Sequence, residues 1–376
     1  MSDSAISGDE LVNLAKSSLA LGDSGAAFEL LEAVDVANRN NGWRATQVQA
    51  LRLHAKNDAA IEFGQAVLFS MMESGDWFNA RTVLVEVGRA LTASSRNRTS
   101  IEFLHSVELQ LRDLSDPEPI FRVQLFCMLA SRIAWAGDLT SASHLLAQVE
   151  VDARRVSDRR ALASYLWVQS DLAGYSGDAN RACDLMERVI LLHHEANDAL
   201  AMRGAIQMLA ALAVMYIGAN EASLMKARYW VSSALAGLYG QGRSTVDQWL
   251  SIHAAWIELK LGDPTRAMEM LVALESYAEL GAEELWSIQL LRAKCEISRG
   301  HLEVAARHLE DAESGFRQSS IDVDEQRDFL RELANAYMEI GEQDKALQIL
   351  DETVAPVESF AWCVPKSEVA GDLKDG

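Results

Sequence analysis

The residue types that could do chemistry are sparse along this sequence. The best cluster is His193–Asn197, HHEAN, with two adjacent histidines and a glutamate. A metal site on a helix needs ligands three or four residues apart on one face, whereas adjacent histidines point in different directions. The stretch therefore predicts ordinary surface or core histidines and no metal centre.

Cysteine, serine and glycine patterns offer no better candidate. The four cysteines are far apart and form no CxxC pair, which excludes a dense disulfide scaffold and a compact zinc site. The glycines stand singly, so no phosphate-binding loop is indicated, and no GxSxG motif occurs. Because catalysis needs convergent polar groups, we expect a protein that is not an enzyme and that uses no cofactor.

The charge of the chain limits its partners. The formal net charge is −21 and the sequence pI about 4.8, which argues against direct nucleic-acid binding because such proteins usually carry a basic face. The local exception is an arginine cluster, Arg154, Arg155, Arg159 and Arg160, which is typical of a solvated helix face or a helix–helix junction. The N-terminus carries no secretory signal, and the apolar stretch around Met208 is too short to span a bilayer. We therefore expect a cytoplasmic protein with no membrane partner.

One sequence pattern, a helix end followed by a tight turn and a second helix, recurs along the chain. In Leu259–Leu274, LKLGDPTRAMEMLVAL, Gly262 suits a helix C-terminus, Asp263 an N-cap and Pro264 the first helical position. Similar stretches start at Leu19, Ala134 and Gly174. Only five prolines occur in 376 residues, which favours an all-α structure.

The turn glycines share a register of small residues. They are Gly22, Gly75, Gly137, Gly177, Gly218, Gly262, Gly300 and Gly341, and the last five intervals are 40, 41, 44, 38 and 41 residues. Five residues after each glycine stands a small residue: Ala27, Ala80, Ala142, Ala182, Ser223, Ala267, Ala305 or Ala346. Seven residues before each glycine the residue is also small, with Leu68 as the exception. Small residues at fixed offsets predict that the two helices of each hairpin cross there at close range.

This pattern resembles the tetratricopeptide repeat (TPR) family. The best match is LRELANAYMEIGEQDKALQILDE, Leu330–Glu352, and the resemblance covers roughly residues 9–355. The period near 40 exceeds the family's value of about 34 residues and resembles the sensor domain of maltose-regulon-type transcription activators. The resemblance implies an all-α, right-handed solenoid of stacked antiparallel helix pairs.

The spacing also divides the chain. We expect a disordered N-terminus over 1–8, irregular helical repeats over 9–116, regular repeats over 117–355 and a largely disordered tail over 356–376. The first two glycine intervals are about one and a half repeats long and predict extra or unpaired helices at Trp43–His54 and Arg98–Leu114. SDPEP at 115–119 is the expected internal boundary.

The resemblance also implies where a partner would bind. In a TPR solenoid the first helix of each pair lines the concave surface, at positions 13, 10, 6 and 3 residues before the turn glycine. The middle of that surface is rich in Trp, Met and aliphatic residues, which suggests an apolar partner. The alternative is that these side chains are core between repeats. The predicted partner-binding residues are Trp167, Asp171, Met208, Leu212, Met215, Trp249, Ile252, Trp256, Leu290, Lys294, Arg331 and Asn335.

Two functions fit these features. The first is a non-catalytic scaffold or adaptor that binds a protein or peptide segment in an apolar groove. The second is a signal-sensing regulator, in which a peptide or small molecule in that groove controls transcription or another output through a partner chain. A homo-oligomer remains open.

Overall fold

The computed structural model describes residues 6–20, 23–94, 97–114, 117–215, 219–237, 245–275, 280–318 and 327–353. Within these ranges the regular elements are helices and no strand occurs, which confirms the predicted all-α class of stacked antiparallel pairs. Of the segments expected to be disordered, 1–8 and 356–376, residues 1–5 and 356–376 lie outside the described residues, and Gly8 is the first residue of a helix. The chain forms two compact units, Met1–Val156 and Ser157–Glu358.

The first unit contains nine α-helices and a short 3-10 turn at Val36–Asn38 among its described residues. The helices are α1 Gly8–Ala20, α2 Ser24–Glu32, α3 Asn41–Leu53, α4 Asn57–Glu73, α5 Trp77–Ala93, α6 Asn97–Arg112, α7 Pro119–Trp135, α8 Leu139–Ala147 and α9 Glu150–Arg155. Each helix packs against the next from α1 to α8, and α9 packs on α7.

The second unit contains ten helices in its described residues. They are α10 Arg159–Tyr175, α11 Ala179–Glu195, α12 Ala199–Met215, α13 Glu221–Ala236, α14 Thr245–Lys260, α15 Pro264–Glu275, α16 Ala282–Ser298, α17 Leu302–Gln318, α18 Arg327–Glu339 and α19 Gln343–Thr353. They form five antiparallel pairs, and the first helices α12, α14, α16 and α18 also contact one another in that order. The fold is therefore a stack of pairs with their first helices side by side.

The turns use the predicted chemistry. Gly262 has a φ of +89°, in the left-handed region where a side chain would be strained, and five other turn glycines have φ values between +72° and +94°. Asp263 follows and its Oδ1 accepts a hydrogen bond from the Arg266 backbone N–H at 2.9 Å, while Pro264 begins α15. The Gly–Asp pair thus ends one helix and caps the next. Gly22 and Gly218 lie outside the described residues.

The small residues are at the helix crossings. All eight positions five residues after a turn glycine are buried, and the side-chain Oγ of Ser170 donates a hydrogen bond to the carbonyl oxygen of Ala182 at 2.7 Å. Ser170 is seven residues before Gly177 and Ala182 is five after it. A direct contact between these two offsets confirms that the register marks the crossing, although Ala211 at the equivalent position in α12 is half-buried.

The irregular glycine spacing of the first unit has a simple structural reason. The turn between α3 and α4 has Ala55 in the left-handed region, at φ +57°, a conformation that six turn glycines adopt elsewhere in the described residues. Helices α1, α3, α5 and α7 contact one another in succession, as first helices do in the second unit. The helices expected at Trp43–His54 and Arg98–Leu114 exist as α3 and α6, but α3 is paired with α4 across Ala55. Helix α4 also packs on α5 across Gly75.

The boundary between the two units also differs from the expected one. The chain divides after Val156, whereas SDPEP at 115–119 ends at Pro119, the first residue of α7. Helix α7 packs on α5 and α6 and so continues the stack of the first unit. Ser115 and Asp116 lie outside the described residues. In the part of the chain that the structure describes, no helix is both long and apolar enough to cross a membrane.

Enlarging a crossing residue should destabilise the second unit. Ala182→Leu places three extra carbons where Ser170 and Ala182 are in contact, and we expect the free energy of unfolding to fall by about 1–3 kcal/mol. Ala222→Leu, on the exposed side of α13, is the matched control and should change it by less than about 0.5 kcal/mol. Urea unfolding followed by circular dichroism measures both. Equal midpoints for the two variants would show that Ala182 is not at a close crossing.

Candidate binding face

The candidate site lies on the first helices of the second unit. We define the first-helix face as the side chains 13, 10, 6 and 3 residues before the turn glycine in α10, α12, α14, α16 and α18. Neighbouring first helices are in contact from α12 to α18, so these positions form adjacent rows. The predicted partner-binding residues belong to this face, and the structure separates them into three groups by exposure.

Three of the predicted residues are buried. Leu212 and Ile252 are 1% exposed and Leu290 is 2% exposed. Ile252 belongs to the core that α14 shares with α15 and α16, and Leu290 to the core that α16 shares with α17, α18 and α19. Adjacent first helices pack directly on these positions, so the three side chains are core and are not open to a partner in this conformation. The structure corrects the prediction at these residues.

Six predicted residues are half-buried: Trp167, Asp171, Met208, Trp249, Trp256 and Lys294. Trp249 packs against the core shared by α14, α15 and α16 and keeps part of its ring exposed. Trp256 packs against both that core and the next one, which α16 shares with α17, α18 and α19. The sequence left open whether these side chains line an open groove or belong to the core between repeats. Trp249 and Trp256 each do both, because one part of the residue packs on the core and another part is exposed.

Lys294 lies in a small charged network on this face. Its Nζ is 2.6 Å from a carboxylate oxygen of Glu332 and 3.8 Å from one of Glu339, both on α18. The same Nζ lies 5.7 Å from the centre of the Trp256 ring on α14, within the range of a cation–π contact. Lys294 thus connects three consecutive first helices, and its charge is already compensated.

Three predicted residues remain. Two of them lie at the C-terminal end of the face, and the side chain of the third is outside the described residues. Arg331 and Asn335 are exposed on α18, one helical turn apart. The placement of the Met215 side chain is outside the described residues.

The sequence reasoning missed His253. It is buried on α14, and its ring lies 5.9 Å from the Trp249 ring, centre to centre. Burial lowers the pKa of His253 from 6.5 to about 4, so the imidazole is neutral near pH 7. The signal was present in the sequence, because His253 stands nine residues before its turn glycine, where α10, α12 and α16 have aliphatic residues and α18 has a glutamate: Val168, Leu209, Leu291 and Glu332.

The groups considered for chemistry are placed as follows. His193 is buried and His194 exposed, so the adjacent histidines do point in different directions. Burial raises the pKa of the Cys183 and Cys295 thiols to about 11 and that of Cys127 further, so all three stay protonated. Among the described residues no group of three or more His, Cys, Asp or Glu side chains could hold a metal ion.

The arginine cluster is engaged in ion pairs. Arg159, the first residue of α10, lies 3.2 Å from Glu195 at the end of α11, and Arg160 lies 2.9 Å from Asp198, the residue before α12. These pairs support the reading of the cluster as a helix junction.

Comparison with known proteins supports the fold. No family model matches the chain, and no curated protein matches it. Among solved structures, a Rap protein complexed with competence and sporulation factor is 11% identical with a TM-score of 0.55, over 92% of this chain and 98% of that one. The human IFIT1 dimer with m7Gppp-AAAA is 12% identical with a TM-score of 0.54, over 92% of this chain and 80% of that one.

At these identities the likeness concerns the fold alone. The chain has a TPR-like helical repeat fold. The closer resemblance to the maltose-regulon-type sensor domain is not addressed by these comparisons and stays a prediction.

Acidification should destabilise the second unit through His253. In the unfolded chain a histidine has a pKa near 6.5, and in the folded chain the pKa of His253 is about 4. Between these two values the unfolded state binds a proton that the folded state does not. The contribution of His253 to stability is therefore full above about pH 6.5 and is lost as the pH falls towards 4.

Urea unfolding at pH 7 and pH 5 tests this. At pH 5 the free energy of unfolding should fall by about 2 kcal/mol through His253. His193 adds to the loss in the same direction, because its pKa is also lowered. Burial is the largest cause and Arg160 acts with it, while Asp198 acts against both. The variant His253→Leu should lose about 2 kcal/mol less than the unaltered protein over the same interval. An identical loss in both proteins would show that His253 is not protected from protonation.

Proposed function

We propose that this chain is a non-catalytic TPR-like scaffold that binds a peptide segment of another protein on the first-helix face of its second unit. The observation that carries the proposal is the row of half-buried apolar side chains on consecutive first helices, Trp167, Met208, Trp249 and Trp256. A tryptophan that is held by core packing on one side and open on the other can anchor a ligand at low entropic cost. The interior helices α12, α14 and α16 are the centre of the proposed site.

A peptide fits this face better than a nucleic acid does. The two solved structures of the same fold hold ligands of different chemical classes, so the fold does not choose between them. The net charge of −21 opposes a polyanion, and Lys294 is already paired with Glu332. Apolar anchors favour an extended or helical segment with apolar side chains.

Selection from a random library tests the proposal. The probe is a phage-displayed library of random twelve-residue peptides, selected against the purified chain and followed by calorimetric titration of the enriched peptides. Trp249→Ala should weaken their binding by about 30-fold or more, because an anchoring aromatic side chain contributes about 2 kcal/mol. The loss of stability should be smaller than for a fully buried tryptophan, because Trp249 is half-buried.

Tyr229→Ala is the matched control. Tyr229 is also aromatic and is 65% exposed, but it lies on α13, the second helix of its pair. This variant should bind the selected peptides as the unaltered protein does. Failure to enrich any peptide, or equal affinity in all three proteins, would refute the proposed site.

A sensing role is the second candidate. Trp256 contacts the core of α14–α16 and the core of α16–α19, so a ligand that moved this ring would disturb the packing of three successive pairs. Such a change could control an output through a partner chain. Hydrogen exchange measured with and without a selected peptide distinguishes the two roles. A sensor should change exchange in α18 and α19, and a passive scaffold only in the helices that contact the peptide.

A further inference from the structure

Gly204 lies inside helix α12, where a glycine is unfavourable. It stands four residues before Met208, and so on the same side of the helix as that half-buried residue of the first-helix face. Glycine destabilises the interior of a helix relative to alanine, because it loses more backbone freedom on folding. A close neighbour that needs the room of the missing side chain is the usual reason for keeping one.

No such neighbour is present in the part of the chain that the structure describes. A Cβ built on Gly204 would meet no atom within 4 Å. By contrast, a Cβ on Gly64 would overlap a methyl group of Val87, and a Cβ on Gly315 would lie 3.2 Å from the Cβ of Trp286. Close packing accounts for those two helical glycines and does not account for Gly204. The space beside Gly204 is open.

Other first helices of the second unit fill the equivalent position. Gly204 stands fourteen residues before its turn glycine, where α10, α14 and α16 have buried side chains: Ala163, Gln248 and Trp286. The equivalent side chain of α18, Arg327, is outside the described residues. Gly204 itself is half-buried. Among the four helices described at this position, α12 alone leaves it both empty and open to solvent.

Helices α16, α17 and α18 show what kind of group fits this position. Trp286 packs there against two further aromatic rings. The ring centres lie 5.8 Å apart for Trp286 and Phe316 and 4.1 Å apart for Trp286 and Phe329. The chain thus fills this place in its last repeats with an aromatic side chain of its own.

Helices α12, α13 and α14 contact one another in the same way but carry smaller residues at these three places. By the register of the turn glycines, Gly204 replaces the tryptophan, and Ala234 and Leu250 replace the two phenylalanines. Ala234 is half-buried and Leu250 is fully buried. The residues equivalent to an aromatic cluster are therefore all apolar and all smaller, and they include a position without a side chain.

We propose that the space beside Gly204 is a subsite that holds one aromatic side chain of the bound peptide, as Trp286 fills the equivalent place in α16. This inference rests on the proposed function and names a side chain that the peptide must carry. Met208 is one helical turn away, so a peptide on the first-helix face passes beside this space. An aromatic ring would bury apolar surface there without displacing a described side chain.

Thiol reactivity tests whether the space is open and whether a peptide closes it. Gly204→Cys is made together with Cys363→Ser, because the three other cysteines are buried. The introduced thiol should react readily with dithionitrobenzoate in the folded protein, as an accessible cysteine does. The probe ligand is a twelve-residue peptide enriched by phage selection on the unaltered chain. At about ten times its Kd, this peptide should slow the reaction about tenfold.

Two substitutions of different size test the subsite by calorimetric titration and thermal unfolding. Gly204→Ala should raise the Tm by about 2–4 °C, because alanine favours the helix and its Cβ meets nothing. It should bind the peptide within about threefold of the unaltered protein. Gly204→Leu fills the space and should weaken binding by about tenfold or more. Gly25→Leu, at an exposed helical position of the first unit, is the matched control and should bind as the unaltered protein does.

A change in the peptide supplies the complementary measurement. The enriched peptides should share one Trp or Phe, and replacing that residue by alanine should weaken binding to the unaltered chain by about 30-fold. On Gly204→Leu the same replacement should cost less than about threefold, because the space no longer accepts the ring.

Each outcome decides the inference. A reactive thiol that the peptide protects, with losses from the chain and from the peptide that do not add, supports it. An unreactive or unprotected thiol, a lower Tm for Gly204→Ala, equal binding by Gly204→Leu or fully additive losses overturns it and leaves the proposed function standing. If the unaltered chain enriches no peptide, the proposed function is wrong and the inference falls with it.

Discussion

The close crossing of two helices at small side chains is the constraint on which this structure depends. The Ser170 hydroxyl donates a hydrogen bond to the carbonyl oxygen of Ala182. At this point the backbones of α10 and α11 approach more closely than larger residues would permit. Repeated at each hairpin, this approach sets where the aliphatic face of the second helix lies. A pair buries little alone, so neighbouring pairs must stack to complete a core. The side-by-side rows of first helices, and thus the candidate binding face, follow from that stacking.

The binding face takes its character from incomplete burial. The first helices contact one another closely enough to bury Leu212, Ile252 and Leu290, yet they leave Trp249 and Trp256 half-open. The same packing that supports these rings from behind also connects them to the cores of successive pairs. A ligand on this face would consequently act on residues that already hold the stack together. On the proposed function, stability and recognition share side chains here.

Much of the fold could be predicted from the sequence because its determinants are local. The turn glycines and the small residues around them act over a short stretch of chain. The six described glycines adopt the expected left-handed conformation, and the small residues five positions after the turn glycines are buried. The pairing across Ala55 was missed because an alanine in the left-handed region leaves no glycine to mark the turn. Exposure on the first-helix face was harder to predict, since whether Leu290 or Trp256 is covered depends on the neighbouring pair. His253 could have been found by comparing equivalent positions between repeats, but its burial could be seen only in three dimensions.

Photo-cross-linking tests the central claim, that a peptide lies across the first helices of the second unit, most directly. A peptide selected on the chain would carry benzoylphenylalanine in place of its main apolar residue, and the cross-linked residues would be identified by mass spectrometry. The account predicts cross-links to α12, α14 and α16, close to Met208, Trp249 and Trp256. Cross-links concentrated on the second helices α13 and α15, or within the first unit, would contradict it.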